Sequence, residues 1–416
     1  MNNNLIKTLG SKQGLPAALA FLLPFLSLVT LWGVGLCSFI FFLAALYHFK
    51  ACRSALARHW AQLRWVIGAF VLFALFALAT LLIHPGTSTS SIEKPLRMLL
   101  AVSALGLVLA FKPDRRFLWA GAAGGAVLGA VLVGYQRIAY DWDRPGGILN
   151  AIVTGDILLM FGLMCLAALI DMRAARQRIW PALGAAAGFA GSMMTGTRGG
   201  WAALALAAIV FILYGHMLRS PRVRAIVLAA FLLTGASYFI PQTGMRERVE
   251  QGVADVTAYY EGGSAYSNVG IRLELWKGAF MMIGERPLLG IGHPEWKFDM
   301  ARRVREGTLD EVVLPAEHLH NDMLHVLVVG GLAAFIAWLA ILAAPLAFFS
   351  RMLRTREGTA VELHALALAG MLVVLSYFAF GLTEVIFWST KASMLYALTV
   401  FILIGLCLNA KEHDGK

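Results

Sequence analysis

The stretch ILNAIVTGDILLMFGLMCLAALIDMRAARQR, residues 148–178, decides the fold. Its first part, 148–170, is an apolar run with one charge, Asp156, and its tail carries Arg173, Arg176 and Arg178. Wound as a helix at about 1.5 Å per residue, such a run crosses the roughly 30 Å of a bilayer's hydrocarbon. The arginines that follow it stay in water and mark a cytoplasmic connection. Outward in both directions the same unit recurs. Apolar runs lie near 15–32, 33–49, 65–83, 95–111, 117–135, 148–170, 180–195, 201–218, 223–240, 321–349, 362–383 and 388–409. The first two divide at Trp32-Gly33-Val34-Gly35.

Alternate connections are basic. They hold Lys50, Arg53, Arg58 and Arg64; Lys112, Arg115 and Arg116; Arg173, Arg176 and Arg178; Arg219, Arg222 and Arg224; and Arg351, Arg354 and Arg356. By the positive-inside rule these connections and both termini are expected on the cytoplasmic side of the membrane. The expected fold is all-α and polytopic, with about twelve transmembrane helices and a large periplasmic loop bearing amphipathic helices. Its expected divisions are helices one to nine over 1–240, the loop over 241–319, and helices ten to twelve over 320–416.

Composition agrees. The chain has 416 residues, 59% of them hydrophobic and 14% charged, and a mean hydropathy of +0.72. A soluble domain has no means of hiding that much apolar surface. The net charge of +11 follows from topology and attraction to anionic membrane lipids, so nucleic acid is not expected as a partner. The four cysteines, Cys37, Cys52, Cys165 and Cys407, have no metal-ligand spacing.

Loop 241–319 is the exception to the short connections. Its nine Lys/Arg and twelve Asp/Glu leave it mildly acidic. Within Asn268–Glu285, Ile271, Leu275, Trp276, Ala279 and Phe280 share one helical face, which predicts a surface helix with Trp276 near the headgroups. A loop this long in a compact protein usually carries function.

Three clusters that carry chemistry fall on the face opposite the arginine-rich connections. Thr195–Trp201 holds Arg198 between glycines, where backbone N–H groups and a guanidinium can grip an anion; the alternative is an interfacial anchor in a tight turn. Arg272 sits one turn before Trp276 and could equally snorkel or pair with Glu274 or Glu285. Glu317–His325 contains His318, His320 and His325 where a membrane helix begins, and histidine suits proton transfer near neutral pH. Zinc on His318, His320, Asp322 and His325 does not match the i, i+4 spacing of a helical metal motif, so no metal is expected. Lys94, Arg97 and Arg144 add positive charge to the same face, and Asp156 and Glu384 are buried-acid candidates.

These motifs resemble those of the O-antigen ligase and polymerase superfamily. His320-Asn321-x-x-Leu324 followed by Gly331 is similar to its H-N-x-x-L-x6-G signature. Arg286-Pro287-Leu288-Leu289-Gly290-Ile291-Gly292 resembles its R-P-x-x-G-x-G stretch, Arg272 with Trp276 its R-x-x-x-W, and Thr197-Arg198-Gly199 its T-R-G turn. The resemblance spans about 190–335 and implies transfer of a lipid-carried glycan at the periplasmic face. For the ligase branch the donor is undecaprenyl-diphosphate-linked O-antigen and the acceptor a sugar hydroxyl of lipid A-core. His320, Arg198 and Arg272 are then the expected catalytic residues. Arg144, Arg97, Lys94, His318, Asn321, Trp276 and Arg286 are expected around the substrates. The expected reaction inverts the anomeric centre without metal or cofactor, His320 acting as base and the arginines holding diphosphate. An O-antigen polymerase or a protein O-oligosaccharyltransferase is the alternative within the superfamily. From another class, a lipid-linked glycan transporter or flippase is disfavoured, because the polar residues crowd one face and no internal repeat is visible. The helix carrying Arg272 is placed to act as a lid.

Overall fold

In the computed structural model the chain is helical, with no strand among the described residues, which are 13–84, 86, 89–172, 174–197, 199–214, 221–236, 239, 245–293, 295–354 and 361–414. Of the residues singled out above, Arg173, Arg198, Arg219 and Arg356 lie outside them.

The chain opens with α1 (Gly14–Ser27) and α2 (Gly33–Tyr47), divided at the expected glycine break. It then turns through 92° into α3 (Phe49–Arg58). There follow α4 (Trp60–Ile83), α5 (Thr89–Leu99), α6 (Ala101–Phe111), α7 (Arg116–Ala139), α8 (Ala151–Asp171), α9 (Ile179–Met194), α10 (Gly200–Tyr214) and α11 (Pro221–Ala236). Helices α12 (Met245–Tyr260), α13 (Asn268–Glu285) and α14 (Glu295–Arg305) form a lobe, and α15 (Asp322–Leu353), α16 (Val361–Phe380) and α17 (Thr390–Asp414) complete the bundle.

Seven spans among the described residues are long and apolar enough to cross a membrane, or eight if the bent pair α2–α3 counts as one. The expected twelve is not reached on that measure because several runs make short helices. At about 1.5 Å per residue, a helix the length of Gly14–Ser27 falls well short of the roughly 30 Å needed. The first basic connection also differs from its reading. Residues 49–58 are a helix with Cys52 and Ala55 buried and Lys50, Arg53 and Arg58 exposed, so the segment is amphipathic.

Helix α8 is the axis, buried along almost its whole length and started by Asn150, whose Oδ1 accepts from the Val153 N–H at 2.8 Å. Helix α9 lies directly on it: a Cβ on Gly188 would stand 2.6 Å from the Leu158 carbonyl oxygen. Small residues permit that approach where two apolar helices have no water to expel.

One end of the bundle gathers the basic connections. Arg115 donates to Asp171 through Nε and Nη2, each at 2.8 Å, and its Nη2 lies 2.6 Å from Glu362. Trp119 Nε1 donates to the same Asp171, and Glu412 pairs with Lys112 and, at 3.0 Å, with His59. The other end gathers the connections after α4, α7 and α16, together with the lobe. There the ammonium of Lys391 donates to the Thr30 carbonyl at 2.7 Å, joining α17 to the α1–α2 turn.

The lobe has its own apolar centre, with Leu275, Ala279, Met282, Trp296, Met300 and Val313 buried together. Helix α13 faces this centre through Leu275 and Ala279, whereas Phe280 is 63% exposed and turns outward, unlike its expected place on the same face. The lobe is clasped to α15 where that helix breaks. Gly331 takes φ +63°, ψ −164°, which stops the helical hydrogen bonding. The freed groups find partners on the R-P-x-x-G-x-G stretch: Ile291 and Gly292 donate to Val328 and Val329, and Leu332 and Ala333 donate to Pro287 and Leu288, at 2.8–3.2 Å. Gly290 makes room for the crossing, since a Cβ there would stand 2.6 Å from the Gly330 nitrogen. Two motifs that are separate in sequence therefore satisfy each other's backbone, which a membrane helix must do internally or through protein.

Candidate active site

The site is built where the start of α15 meets the turn between α16 and α17. Asn321 caps α15, its Oδ1 accepting from the Leu324 N–H at 3.0 Å, while its Nδ2 donates to the Leu382 carbonyl at 3.0 Å. Asp322 donates its N–H to the Gly381 carbonyl at 2.8 Å, and its buried carboxylate lies beside the backbone of Phe387 and Ile386. Two consecutive residues thus fasten the turn that carries Glu384.

Glu384 faces two imidazoles. His320 Nδ1 lies 3.1 Å from Oε2 and His318 Nε2 lies 3.1 Å from Oε1. The two rings sit edge to face, 4.5 Å apart. The His320 N–H donates to His318 Nδ1 at 3.4 Å. That pattern assigns the tautomers. His318 carries its proton on Nε2, and His320 carries one on Nδ1 and keeps a lone pair on Nε2. Burial alone would raise the Glu384 carboxyl, but the hydrogen bond from His320 and the imidazoles beside it hold it below the ordinary glutamate range. Burial pushes the His318 imidazole down, opposed by Glu384 and aided by the charge of Arg272.

His320 adopts a left-handed backbone, φ +49°, which costs about 1–3 kcal/mol that its surroundings must offset. The fixing contacts lie on both sides. Trp276 Nε1 donates to the Leu319 carbonyl at 2.9 Å, and Asn321 begins the helix. Trp276 is therefore a strut beneath the histidines rather than the headgroup marker expected from its helix face.

The other expected residues divide. Arg272 is half-buried one turn before Trp276 and near enough to His318 for its charge to be felt. Arg198 is outside the described residues, but the turn on either side of it is placed. Thr197 Oγ1 donates to the Ala151 carbonyl at 3.0 Å, and a Cβ on Gly199 would stand 2.2 Å from Thr383 Oγ1, beside Glu384. Lys94 stands 3.9 Å over the Trp388 ring. Arg97 pairs with Glu93 one turn earlier on its own helix. Arg144 and Arg286 are exposed, and no contact among the described residues brings either to Glu384. Arg286 serves the clasp through its carbonyl, which accepts from the Gly290 N–H at 3.2 Å.

Sequence reasoning ranked Glu384 as a minor buried acid, although it is the partner of both histidines. It missed His293 and Trp388 altogether. Those rings stack at 5.2 Å, with His325 edge-on to both. With Lys94 they head a cavity of about 150 Å³ whose lower walls include Phe76 and Trp338. Both ring nitrogens of His293 and Nδ1 of His325 lack a hydrogen-bond partner among the described residues. The legible signals for this cluster were His325 in the histidine run and Lys94 on the same face.

This arrangement of cap, clasp and histidine pair occupies the segment that carries all four recognised motifs. Residues 183–339 match the O-antigen ligase family model. The resemblance to the O-antigen ligase superfamily stands on that segment, which holds His318, His320, Arg272 and Trp276 but stops short of Glu384. The chain is also 24% identical over 330 residues to an uncharacterized protein of Haemophilus influenzae, covering 78% of this chain and 79% of that one.

Proposed function

We propose that the chain is an O-antigen ligase, transferring undecaprenyl-diphosphate-linked O-antigen to a sugar hydroxyl of lipid A-core at the periplasmic face of the inner membrane. The observation that carries this reading is the Glu384–His320 pair. The carboxylate accepts from Nδ1 at 3.1 Å, so the lone pair on Nε2 is free to take a proton. In the reaction the acceptor hydroxyl loses its proton to His320 Nε2 as its oxygen attacks the anomeric carbon. The bond from that carbon to the diphosphate oxygen breaks, its electron pair leaves with the diphosphate, and the centre inverts. Arg272 and Arg198 offset the charge gathering on the leaving group, each contributing about 3 kcal/mol where water is excluded. The base contributes roughly 10²- to 10⁴-fold in rate. His318, bonded to Glu384 and to the His320 backbone, holds the pair in register.

The cavity beside the turn supports an amphiphilic donor. Its upper part offers the Lys94 ammonium to phosphate oxygens, and its lower walls are apolar. The gathering of the basic connections at the opposite end supports a periplasmic site with both termini cytoplasmic.

The test is reconstitution of the purified full-length protein with undecaprenyl-diphosphate glycan and lipid A-core in EDTA. A ladder of glycosylated lipid A-core, lost in His320→Ala, is the expected result. Donor lengthening without acceptor would replace this reading by a polymerase, activity abolished by EDTA would overturn the metal-free mechanism, and full activity in His320→Ala would remove the base.

A further inference from the structure

The geometry points to a second property of the same triad: His318 Nε2, His320 Nδ1 and Glu384 form a site for a divalent transition-metal ion of the zinc type, and the bound ion switches glycan transfer off. The inhibitory half of this inference rests on the reading of His320 as the base. The ligand atoms of these residues all lie within 4.8 Å of one another. Two imidazole nitrogens and one carboxylate oxygen, with further positions open, are a donor set that binds zinc and its neighbours and discriminates against magnesium and calcium. The set is also held from behind, as metal ligands require. Val385 donates its N–H to Glu384 Oε1 at 3.1 Å, Trp276 fixes the Leu319 carbonyl between the two histidines, and Asn321 fixes the chain after them. The site differs from the set that spacing along the chain suggests. Asp322 turns its carboxylate toward the backbone of Ile386 and Phe387, and His325 faces His293 and Trp388.

Inhibition follows from where the protons go. The ion needs lone pairs on the two nitrogens that face Glu384, and both of these carry hydrogen in the active arrangement. Each neutral imidazole therefore shifts its proton to its other nitrogen, and none is released. On His320 the proton arrives at Nε2, the atom that would accept from the acceptor hydroxyl, and the base becomes a donor. On His318 it arrives at Nδ1, facing the His320 N–H, where two donors oppose each other. That opposition weakens binding and makes the ion a reversible brake rather than a resident cofactor.

The full-length protein in detergent is titrated with Co²⁺ as a spectroscopic probe. The expected result is a visible ligand-field band of tetrahedral type that saturates at one ion per chain and is removed by Zn²⁺. In His318→Gln the midpoint should rise at least about tenfold, the lower end of what losing even an outer-shell partner costs a metal site. In the unmodified chain, Zn²⁺ at saturating occupancy should protect His318 and His320 from acylation by diethylpyrocarbonate, read by mass spectrometry, which needs no variant to fold. Transfer should fall at least tenfold at the same occupancy, return with EDTA, and be indifferent to Mg²⁺. No band, an unchanged midpoint in His318→Gln, or no protection of the two histidines overturns the site. Full transfer with zinc bound overturns the brake. Should His320→Ala remain active while the parent shows the band, the base reading fails and the metal site stands; should transfer be lost in that variant with no band in the parent, the reverse holds.

Discussion

The two ends of the bundle hold their buried acids in different ways. At the basic end Asp171 receives a forked guanidinium from Arg115 and an indole N–H from Trp119, and Glu362 shares the same arginine. At the lobe end Glu384 receives two imidazoles. A guanidinium keeps its charge through any pH a cell meets, and its fork fits one carboxylate in one way. An imidazole gains and loses a proton near neutrality and can pass it on. One end is wired for permanence and the other for exchange.

Breaking that contrast begins with the largest effect. His320→Ala should lower turnover by about 10²- to 10⁴-fold with little change in thermal stability, measured by glycan transfer and by unfolding in detergent. Arg115→Ala should do the opposite. It strands Asp171 without its cation and should cost about 3–5 kcal/mol of stability, read as a lowered Tm, with kcat preserved in whatever chain stays folded. Glu384→Gln keeps the shape but presents an amide to the imidazoles, so kcat should fall by about 10²-fold while KM moves little. A KM change of the same size would mean that Glu384 binds substrate instead of orienting the base.

Acid sharpens the comparison further. Glu384 and His318 both have folded-state values below their ordinary ones. For His318 the unfolded chain binds the proton first, so its share of stability is complete above the usual histidine value, about 6.5, and shrinks as pH falls below it. For Glu384 the share is present above the usual glutamate value and is lost as pH falls through its lower folded one. Both signs make the lobe end loosen in acid. Protection factors, which remove the intrinsic pH dependence of exchange, should fall between pH 7 and 5 at 317–321 and 381–389 through the His318 share before they fall at 112–116. They should fall further below the usual glutamate value as Glu384 titrates; equal loss at both ends would remove the distinction. The smallest effect belongs to Trp276→Phe, which deletes the bond to the Leu319 carbonyl. About 1 kcal/mol is expected, appearing as a severalfold loss of kcat as His320 leaves its left-handed conformation.

Much of the frame was legible because membranes impose a coarse code. Apolar length placed an all-helical, multi-span frame though not the expected twelve spans, and the connections around His59, Lys112–Arg115, Asp171 and Glu362 do meet at one end. What the code missed was local. Residues 49–58 read as a basic loop because their charges dominate, yet Cys52 and Ala55 give them a buried face and a helix. Arg97 read as free charge over the site, although Glu93 stands one turn before it, a pairing the sequence itself displays. His320 was found through its motif. Its partner was not, because Glu384 lies 64 residues away across a helix and a turn, and no periodicity connects them. The clasp was similarly hidden: the two glycine-bearing motifs were recognised separately, and only their folded backbones disclose that each completes the other.

The clasp also limits how the lobe can move. Four main-chain hydrogen bonds join 287–292 to the broken stretch of α15, and separating them would leave eight polar groups unmatched beside apolar helices. Residues 287–292 and the upper segment of α15, His320's neighbour, therefore travel as one rigid piece. A flap that swung on its own would have to break all four bonds at this seam, so a hinge elsewhere, carrying the imidazoles along, asks less of the fold.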